Sequence, residues 1–238
     1  MKTIKVNSFQ NFMEQVESIK NLGIDIVLFR GQSDDNFLLP SIARKDPCMD
    51  TTKLEMEMLE DLKRRSTLLI NREVRNDWEW LILAQHFGLK TRLLDWTSNP
   101  LVALWFACEN KYLVNKNSYV YILKGNSNML VDIRNTESPF ENSRTKILRP
   151  LLNNERIIAQ AGWFTAHKFS NKAKKFVKLE TNNEVKSLIT KIEIPVTIKM
   201  DILKKLSIFG INNRTMYPDL AGLCAHINWK HIERGCIT

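Results

Sequence analysis

The stretch Asn99–Cys108 (NPLVALWFAC) decides how the chain folds. Asn99 is a favourable N-cap, and Pro100 suits the first position of a helix because its missing N–H would have no partner there. The residues that follow are apolar on every face of the helix that they would form. Such a helix is buried rather than exposed, so we predict that it lies deep in the core.

Capping residues and apolar periodicity predict the other helices, and short apolar runs predict the strands. The predicted helices cover residues 8–20, Thr51 or Thr52 to Leu69, Trp78–Phe87, Thr197–Leu206 and the stretch after Pro218. The predicted strands are Asp25–Arg30, Ser118–Leu123, Met129–Ile133 and Ser187–Ile194, and Leu89–Ser98 is predicted as connecting chain. Helices dominate the first half and strands are scattered along the chain, which indicates the α+β class. We predict one domain over residues 1–238, with a mixed or split β-sheet surrounded by helices.

Composition limits the classes of function. The chain has 238 residues, a net charge of +9 and a pI of about 9.4. No apolar run reaches the roughly 18 residues of a membrane span, and the first residues lack the apolar segment of a signal peptide. We therefore expect a cytoplasmic protein without a membrane partner. The four cysteines, including Cys236, and the four histidines are not spaced for zinc, so no metal is expected.

The densest positive charge lies at Lys168–Lys178 (KFSNKAKKFVK). A patch of this kind attracts nucleic acid or nucleotides at long range. The alternative is an ordinary solvated surface loop.

The stretch Leu28–Gln32 (LFRGQ) places a cation at the end of a predicted buried strand. An unpaired charge in an apolar interior costs several kcal/mol, so Arg30 needs a partner. That partner is either an acid of the chain, with Asp95 as the candidate, or an anionic ligand. Polar residues interrupt the apolar pattern in three places, which are candidate functional segments: Arg30–Gln32, Gln85–Thr97 and Gln160–His167.

These segments resemble the FRG domain family, which is named for an aromatic-Arg-Gly motif. The resemblance is carried by FRG at Phe29–Gly31, QHFGLKTRLLDWTSNPLVALWFA at residues 85–107, IIAQAGWFTAH at residues 157–167 and FGINNRTMYPDLAGL at residues 209–223. It spans roughly residues 25–225. The family name by itself assigns no activity.

The order of these motifs is similar, more remotely, to ADP-ribosyltransferases, which place an arginine in an early strand and a Glu or Gln late in the chain. This resemblance implies an ADP-ribosyltransferase-like fold that uses NAD as substrate and modifies a nucleic-acid or protein acceptor. The implied catalytic residues are Arg30, on the pyrophosphate, Asp95 and Gln160. The implied cofactor-binding residues are Phe29, Gly31, Gln32, His86, Arg92, Trp96, Thr97 and Phe164, with Trp96, Phe87 or Phe164 stacking on the nicotinamide. A toxin or phage-defence role would add an antitoxin or a neighbouring defence protein as a partner.

The late position departs from the transferase pattern. Gln160 can orient a ribose but cannot act as a base, so Glu155, Asp95 or another acid would have to supply the carboxylate. Two alternatives remain open at this point. The chain is a non-catalytic nucleotide or nucleic-acid sensor, or it is a protein-interaction domain in which Arg30 and Asp95 form an ion pair in the core.

Overall fold

A computed structural model describes residues 1–20, 22–110, 115–132, 138–142, 144–151 and 154–233. Ile133, at the end of one predicted strand, and Cys236 lie outside the described residues. The helices are α1 (Phe9–Lys20), α2 (Thr52–Arg65), α3 (Asp77–His86), α4 (Pro100–Cys108), α5 (Glu155–Ala159), α6 (Lys199–Ile208), α7 (Asn213–Met216) and α8 (Leu220–Asn228). The strands are β1 (Lys2–Lys5), β2 (Ile26–Gln32), β3 (Leu93–Thr97), β4 (Ser118–Gly125), β5 (Lys146–Leu148), β6 (Gly162–Ala166), β7 (Phe169–Ser170), β8 (Lys175–Phe176) and β9 (Ile189–Ile194).

Seven of these strands form one sheet in the order β1-β9-β4-β2-β3-β6-β5, and β7 and β8 form a separate hairpin. The β1–β9 pair is parallel and the other pairs are antiparallel, so the sheet is mixed. The α+β class and the mixed sheet are therefore confirmed.

Helix α4 lies in the core, as its sequence predicts. The Asn99 side chain accepts a hydrogen bond from the Leu101 amide at 2.9 Å, and six of the nine helical residues are buried. The helix backbone packs directly against β2 at Gly31. A Cβ atom on Gly31 would overlap the carbonyl oxygen of Ala103 and lie 2.6 Å from the amide nitrogen of Ala107. Gly31, which the resemblance lists among the cofactor-binding residues, therefore also permits close packing of the helix against the strand.

The two faces of the sheet bury different clusters. Phe29 packs with α1, α4 and α6 on one face, where it is fully buried. Leu28 packs on the opposite face with Leu94, Trp96 and Tyr121. This alternation along β2 is the two-residue period of a strand that is covered on both sides.

Several predicted elements are confirmed within one to three residues, and others are wrong. The helices α1, α3, α6 and α8 and the strands β2, β4 and β9 match the predictions. The stretch Leu89–Ser98 is wrong as connecting chain, because it contains β3, which pairs with β6 over five residue pairs. Helix α2 ends at Arg65, and Leu69 beyond it is exposed. In place of a strand from Met129, a 3-10 turn covers Ser127–Met129.

Candidate ligand-binding cleft

A cavity opens where β2 and β3 separate. These two strands share one register pair, Phe29 with Thr97, whereas β2 pairs with β4 over seven. The cavity has a volume of about 350 Å³, within the roughly 300–1,000 Å³ usual for small-molecule sites. We call it the central cavity; it is lined by Phe29, Arg30, Gly31, Gln85, His86, Asp95, Trp96, Thr97, Phe106, Arg156, Gln160 and Tyr217. The sequence-predicted residues Arg30, His86, Asp95 and Gln160 thus lie around one concavity, although they come from four different elements or element ends.

Arg30 projects from β2 and is largely buried, with 14% of its side chain exposed. One guanidinium nitrogen donates to the backbone carbonyl of Asp95 at 2.7 Å, but it lies 3.7 Å from the nearest Asp95 carboxylate oxygen. The buried Nε–H has no hydrogen-bond partner among the described residues. Burial lowers the pKa of Arg30, the Asp95 charge opposes that shift, and Arg44 adds to it. The core ion pair considered from the sequence is therefore a loose contact that leaves donor capacity unused.

Asp95 presents its carboxylate to solvent although it lies in the middle of a strand. Its side chain is 55% exposed, and the Gln85 amide nitrogen lies 3.2 Å from both carboxylate oxygens. The Thr91 hydroxyl donates to the Gln85 carbonyl oxygen at 2.7 Å, which fixes the orientation of that amide. Among the described residues that line the central cavity, Asp95 is the only acid. Glu155, the other candidate carboxylate, lines a neighbouring depression instead.

The far wall of the central cavity comes from the end of α3 and the segment around α5 and α7. Gln160 donates from its amide nitrogen to the carbonyl of Met216 at 3.0 Å. Burial lowers the pKa of His86, and the Arg156 and Arg72 charges lower it further, so the imidazole is neutral at pH 7. Arg156 lies over the ring of Tyr217, 5.0 Å from its centre, and pairs with Asp219 at 3.2 Å.

Sequence reasoning missed three residues of this cavity: Phe106, Arg156 and Tyr217. Phe106 lies inside the apolar helix α4, and nothing in its local pattern separates it from the core residues beside it. Tyr217 belongs to the segment 209–223 that resembled the family signature, which was the one available signal. Phe106 and Tyr217 contact each other edge to face, 6.4 Å between ring centres, and supply the aromatic surface of the cavity.

The three aromatic residues expected to stack on a ligand lie in different surroundings. Trp96 is 3% exposed and donates its indole N–H to Thr165, so it forms part of the wall. Phe164 is buried in the cluster around Trp78. Phe87 is 76% exposed and lines the neighbouring depression with His86. The strand alternation along β3 and β6 sends the first two rings into the core.

Arg92 does not line the central cavity, contrary to the prediction. It is 1% exposed and pairs with the equally buried Glu55 of α2, with 2.7 Å between Arg92 Nε and a carboxylate oxygen. Further guanidinium nitrogens donate to the Thr52 hydroxyl and the Pro139 carbonyl, and the guanidinium lies over the Phe140 ring. Each of the three guanidinium nitrogens of Arg92 therefore has a hydrogen-bond partner inside the protein.

Thr97 and Gln32 occupy intermediate positions. Thr97 lines the central cavity, but its hydroxyl accepts from the Asn99 amide at the start of α4. Gln32 lies two residues beyond Arg30 on β2 and lines a second cavity of about 430 Å³. Its amide oxygen is buried without a partner among the described residues. We call this second space the adjoining cavity; it shares Arg30, Gly31 and Phe106 with the central cavity and is also lined by Ser33, Asn36, Phe37, Leu39 and Arg44.

Another cavity of about 360 Å³ lies between α4, α6 and α8 and contains Trp105, Glu109 and Trp229. No arginine or lysine of the described residues lines it, so it does not suit an anion. Within the described part of the chain, no group of three or more His, Cys, Asp or Glu residues could hold a metal ion. In the same part, no helix is long and apolar enough to cross a membrane.

Comparison with known proteins gives one match. Neither the curated proteins nor the solved structures contain a significant match to this chain. The family model of the FRG domain matches residues 25–116, which contain both Phe29–Gly31 and the motif at residues 85–107. The later segments around Gln160 and Tyr217 lie outside the matched range. Residues 25–116 therefore match the FRG domain, and this part of the chain supplies Arg30, His86 and Asp95 to the central cavity.

Proposed function

We propose that this protein binds NAD in the central cavity and acts as an ADP-ribosyltransferase-like enzyme with a fold of that type. The observation that carries the proposal is Arg30: a largely buried guanidinium with an unpaired Nε–H, set between two cavities. A buried N–H without an acceptor destabilises the folded protein unless a ligand accepts from it. A pyrophosphate is well suited, because a planar guanidinium binds phosphate oxygens through paired, charge-assisted hydrogen bonds.

The charges around the central cavity fit this ligand. Among the described residues that line the cavity, Arg30 and Arg156 supply two positive charges, His86 is neutral and Asp95 is the single negative group. The two cations complement the two phosphates of NAD. The carboxylate complements the positive charge of the nicotinamide ring and of the sugar in the transition state. Phe106 and Tyr217 offer apolar surface for a ring.

In the proposed reaction, the bond between C1′ of the ribose and the nicotinamide nitrogen breaks, and its electron pair leaves with neutral nicotinamide. An acceptor nucleophile bonds to C1′ and releases its proton. Asp95, held by Gln85 and by Arg30, would stabilise the positive charge that develops on the sugar. Gln160 would bind the ribose hydroxyls, which an amide can do without acting as a base.

A second candidate function is a non-catalytic nucleotide sensor. It is favoured by Asp95, the single carboxylate among the described lining residues, which already contacts Gln85 and Arg30 and so has fewer free lone pairs for chemistry. Both candidates use Arg30 to hold the phosphates. They differ in whether Asp95 acts on the sugar.

Calorimetric titration with NAD, ADP-ribose and nicotinamide, followed by transfer from labelled NAD to a cell lysate, separates the candidates. The transferase predicts binding of NAD and ADP-ribose, labelled products, and loss of labelling in Asp95→Asn with NAD binding retained. Toxicity on expression, the basis of a toxin or phage-defence role, would disappear in the same variant. Binding without labelling would favour the sensor, and failure of the wild-type protein to bind NAD or ADP-ribose would overturn both.

A further inference from the structure

The β7–β8 hairpin and its flanks, residues 168–178, form a surface that we call the basic hairpin. It contains Lys168, Lys172, Lys174, Lys175 and Lys178 and no acidic residue. No ion pair joins any of these lysines to an acid within the described residues. Lys172, Lys174 and Lys175 are exposed at the turn. These five lysines, within eleven residues, amount to more than half of the net charge of +9.

The basic hairpin is fixed to the wall of the adjoining cavity. The Phe176 amide donates to the Pro47 carbonyl at 2.8 Å, and the Leu179 amide donates to the Leu38 carbonyl at 3.2 Å. Phe176 is buried in a small cluster with Leu39, Ile42 and Ala43. Leu39 itself lines the adjoining cavity. The lysines therefore have a defined position beside the cavity rather than lying on a free loop.

Positive charge continues from the hairpin into the cavity. Arg44 is exposed, lines the adjoining cavity together with Arg30, and is close enough to lower the pKa of Arg30. Three acids near this surface already have partners. Asp34 pairs with Lys116 at 3.0 Å, Asp35 pairs with Lys191 at 2.6 Å, and a Glu180 oxygen accepts from the Leu38 amide.

An exposed aromatic ring lies at the junction of the hairpin and the adjoining cavity. Phe37 is 57% exposed and lines the cavity, and the Lys178 ammonium lies over its ring. A flat ring beside a row of cations is the arrangement by which proteins bind unpaired nucleic acid, because bases stack on the ring while the cations follow the phosphates. A duplex keeps its bases stacked and cannot use such a ring.

We infer that single-stranded nucleic acid binds along the basic hairpin, with a base on Phe37 at the mouth of the adjoining cavity. The inference rests on the proposed function only in naming this strand as the acceptor, because the adjoining cavity meets the central cavity at Arg30 and Phe106. Binding of the strand itself requires no NAD.

The test is fluorescence anisotropy of a labelled single-stranded oligonucleotide, as RNA and as DNA of the same sequence, over a range of salt concentrations without NAD. The variant Lys172→Glu/Lys174→Glu/Lys175→Glu reverses the three exposed charges. If each lysine neutralises one phosphate, affinity should fall about 100-fold at roughly 0.1 M salt, since each contact contributes about 0.7 to the slope of log affinity against log salt. That slope should flatten by about 2.

The matched control reverses three exposed lysines of β1 and α1, Lys2→Glu/Lys5→Glu/Lys20→Glu, and produces the same net charge. It should bind far more tightly than the hairpin variant. Phe37→Ala should lower affinity at least about fivefold through lost stacking, and Phe37→Tyr should restore it.

Three outcomes would overturn the inference: no binding at low salt, equal losses in the hairpin variant and its control, or a duplex that binds as tightly as the single strand. Titration of the hairpin variant with NAD keeps the two proposals apart. The variant should retain the NAD affinity of the wild-type protein, whatever the oligonucleotide result.

Discussion

The fold contains two arginine–acid pairs, Arg92 with Glu55 and Arg30 with Asp95. They differ in burial, in distance and in how many arginine donors have partners. Arg92 and Glu55 are both 1% exposed, their nearest charged atoms are 2.7 Å apart, and neighbouring groups accept from the other two guanidinium nitrogens. Arg30 and Asp95 are 14% and 55% exposed, their nearest charged atoms are 3.7 Å apart, and one buried donor is unused. In the first pair, the arginine finds all its partners inside the protein. In the second pair, the arginine has an unpaired N–H and lines a cavity.

The difference separates residues that maintain the fold from residues available to a ligand. Removing one member of a closed, buried pair leaves an uncompensated charge, which costs far more than losing an exposed contact. The open pair has little stability to lose, so its effect should appear in binding. Both arginines stood in the motifs as candidate site residues, and their surroundings distinguish them.

The largest expected effect on stability comes from Glu55→Gln. The substitution leaves the Arg92 charge buried without a counter-ion, and we expect the free energy of unfolding to fall by about 3–5 kcal/mol. The melting temperature should fall by roughly 6–20 °C for a chain of this size. Thermal melts of both proteins check this.

A control for this effect lies on the same helix. Glu57 is exposed and lies 3.9 Å from Lys53, so Glu57→Gln should change the free energy of unfolding by less than about 0.5 kcal/mol. Equal melting temperatures of Glu55→Gln and Glu57→Gln would show that the Arg92–Glu55 pair does not hold the fold.

Gly31→Ala tests whether the residue next to Arg30 serves packing. The added methyl would overlap the Ala103 carbonyl, and helix α4 could relieve the overlap only by moving away from β2. We expect a loss of about 3 kcal/mol in the free energy of unfolding. Denaturant titration measures this loss. Gly23→Ala is not a suitable control, because Gly23 has φ of +68°, which strains any residue with a side chain. An unchanged midpoint would show that the packing of α4 against β2 does not require a glycine at residue 31.

His167 should give the protein a pH-dependent stability, because both arginines act on it. Burial lowers its pKa to about 3, and the Arg30 and then the Arg92 charge contribute to the shift. The unfolded chain binds a proton near pH 6.5, and the folded chain does not do so until about pH 3. This group's contribution is therefore fully present above about pH 6.5 and is lost as the pH falls towards 3.

Between pH 7 and 5 the free energy of unfolding should fall by about 2 kcal/mol from His167 alone. Denaturant midpoints of the wild-type protein and of His167→Gln at the two pH values measure the effect. The difference between pH 7 and 5 should shrink in His167→Gln and persist in His231→Gln, whose histidine is exposed. The same pH dependence in wild type and His167→Gln would rule out this assignment.

Only a small effect on stability is expected for Asp95→Asn. The carboxylate is more than half exposed, and Arg30 holds the backbone carbonyl of residue 95, which the substitution retains. The free energy of unfolding should change by less than about 1 kcal/mol. A thermal melt checks this. A loss of stability as large as that of Glu55→Gln would mean that the Arg30–Asp95 pair stabilises the fold as much as the Arg92–Glu55 pair does.

Sequence reasoning located the helices well because their ends carry local signals. Ser8, Gly88 and Asn99 mark the ends of three helices, and the structure uses all three in those positions. Strand β3 was missed because Asp95 and Thr97 interrupt its apolar pattern. Its strand character depends on pairing with β6, which lies about seventy residues further along the chain and is invisible to local rules.

The candidate site was predictable as a set of segments but not as a set of roles. Arg30, His86, Asp95 and Gln160 stood out because polar residues broke an apolar pattern, and they line one cavity. The role of Arg92 was not recoverable, because its partner Glu55 lies thirty-seven residues away on a helix whose periodicity predicted an apolar inner face. Arg156 and Tyr217 come into the site through the packing of α5 against α7, which no short motif encodes.

The most direct test of the contrast between the two pairs is a thermal melt and an NAD titration of Arg30→Ala, with Arg30→Lys and Arg92→Ala measured alongside. The account predicts that Arg30→Ala melts within a few degrees of wild type and has lost NAD binding. Arg30→Lys should not restore binding, because a point charge lacks the planar fork, whereas Arg92→Ala should lose stability. A large fall in the melting temperature of Arg30→Ala, together with no NAD binding by the wild-type protein, would contradict the account and make Arg30 a structural residue.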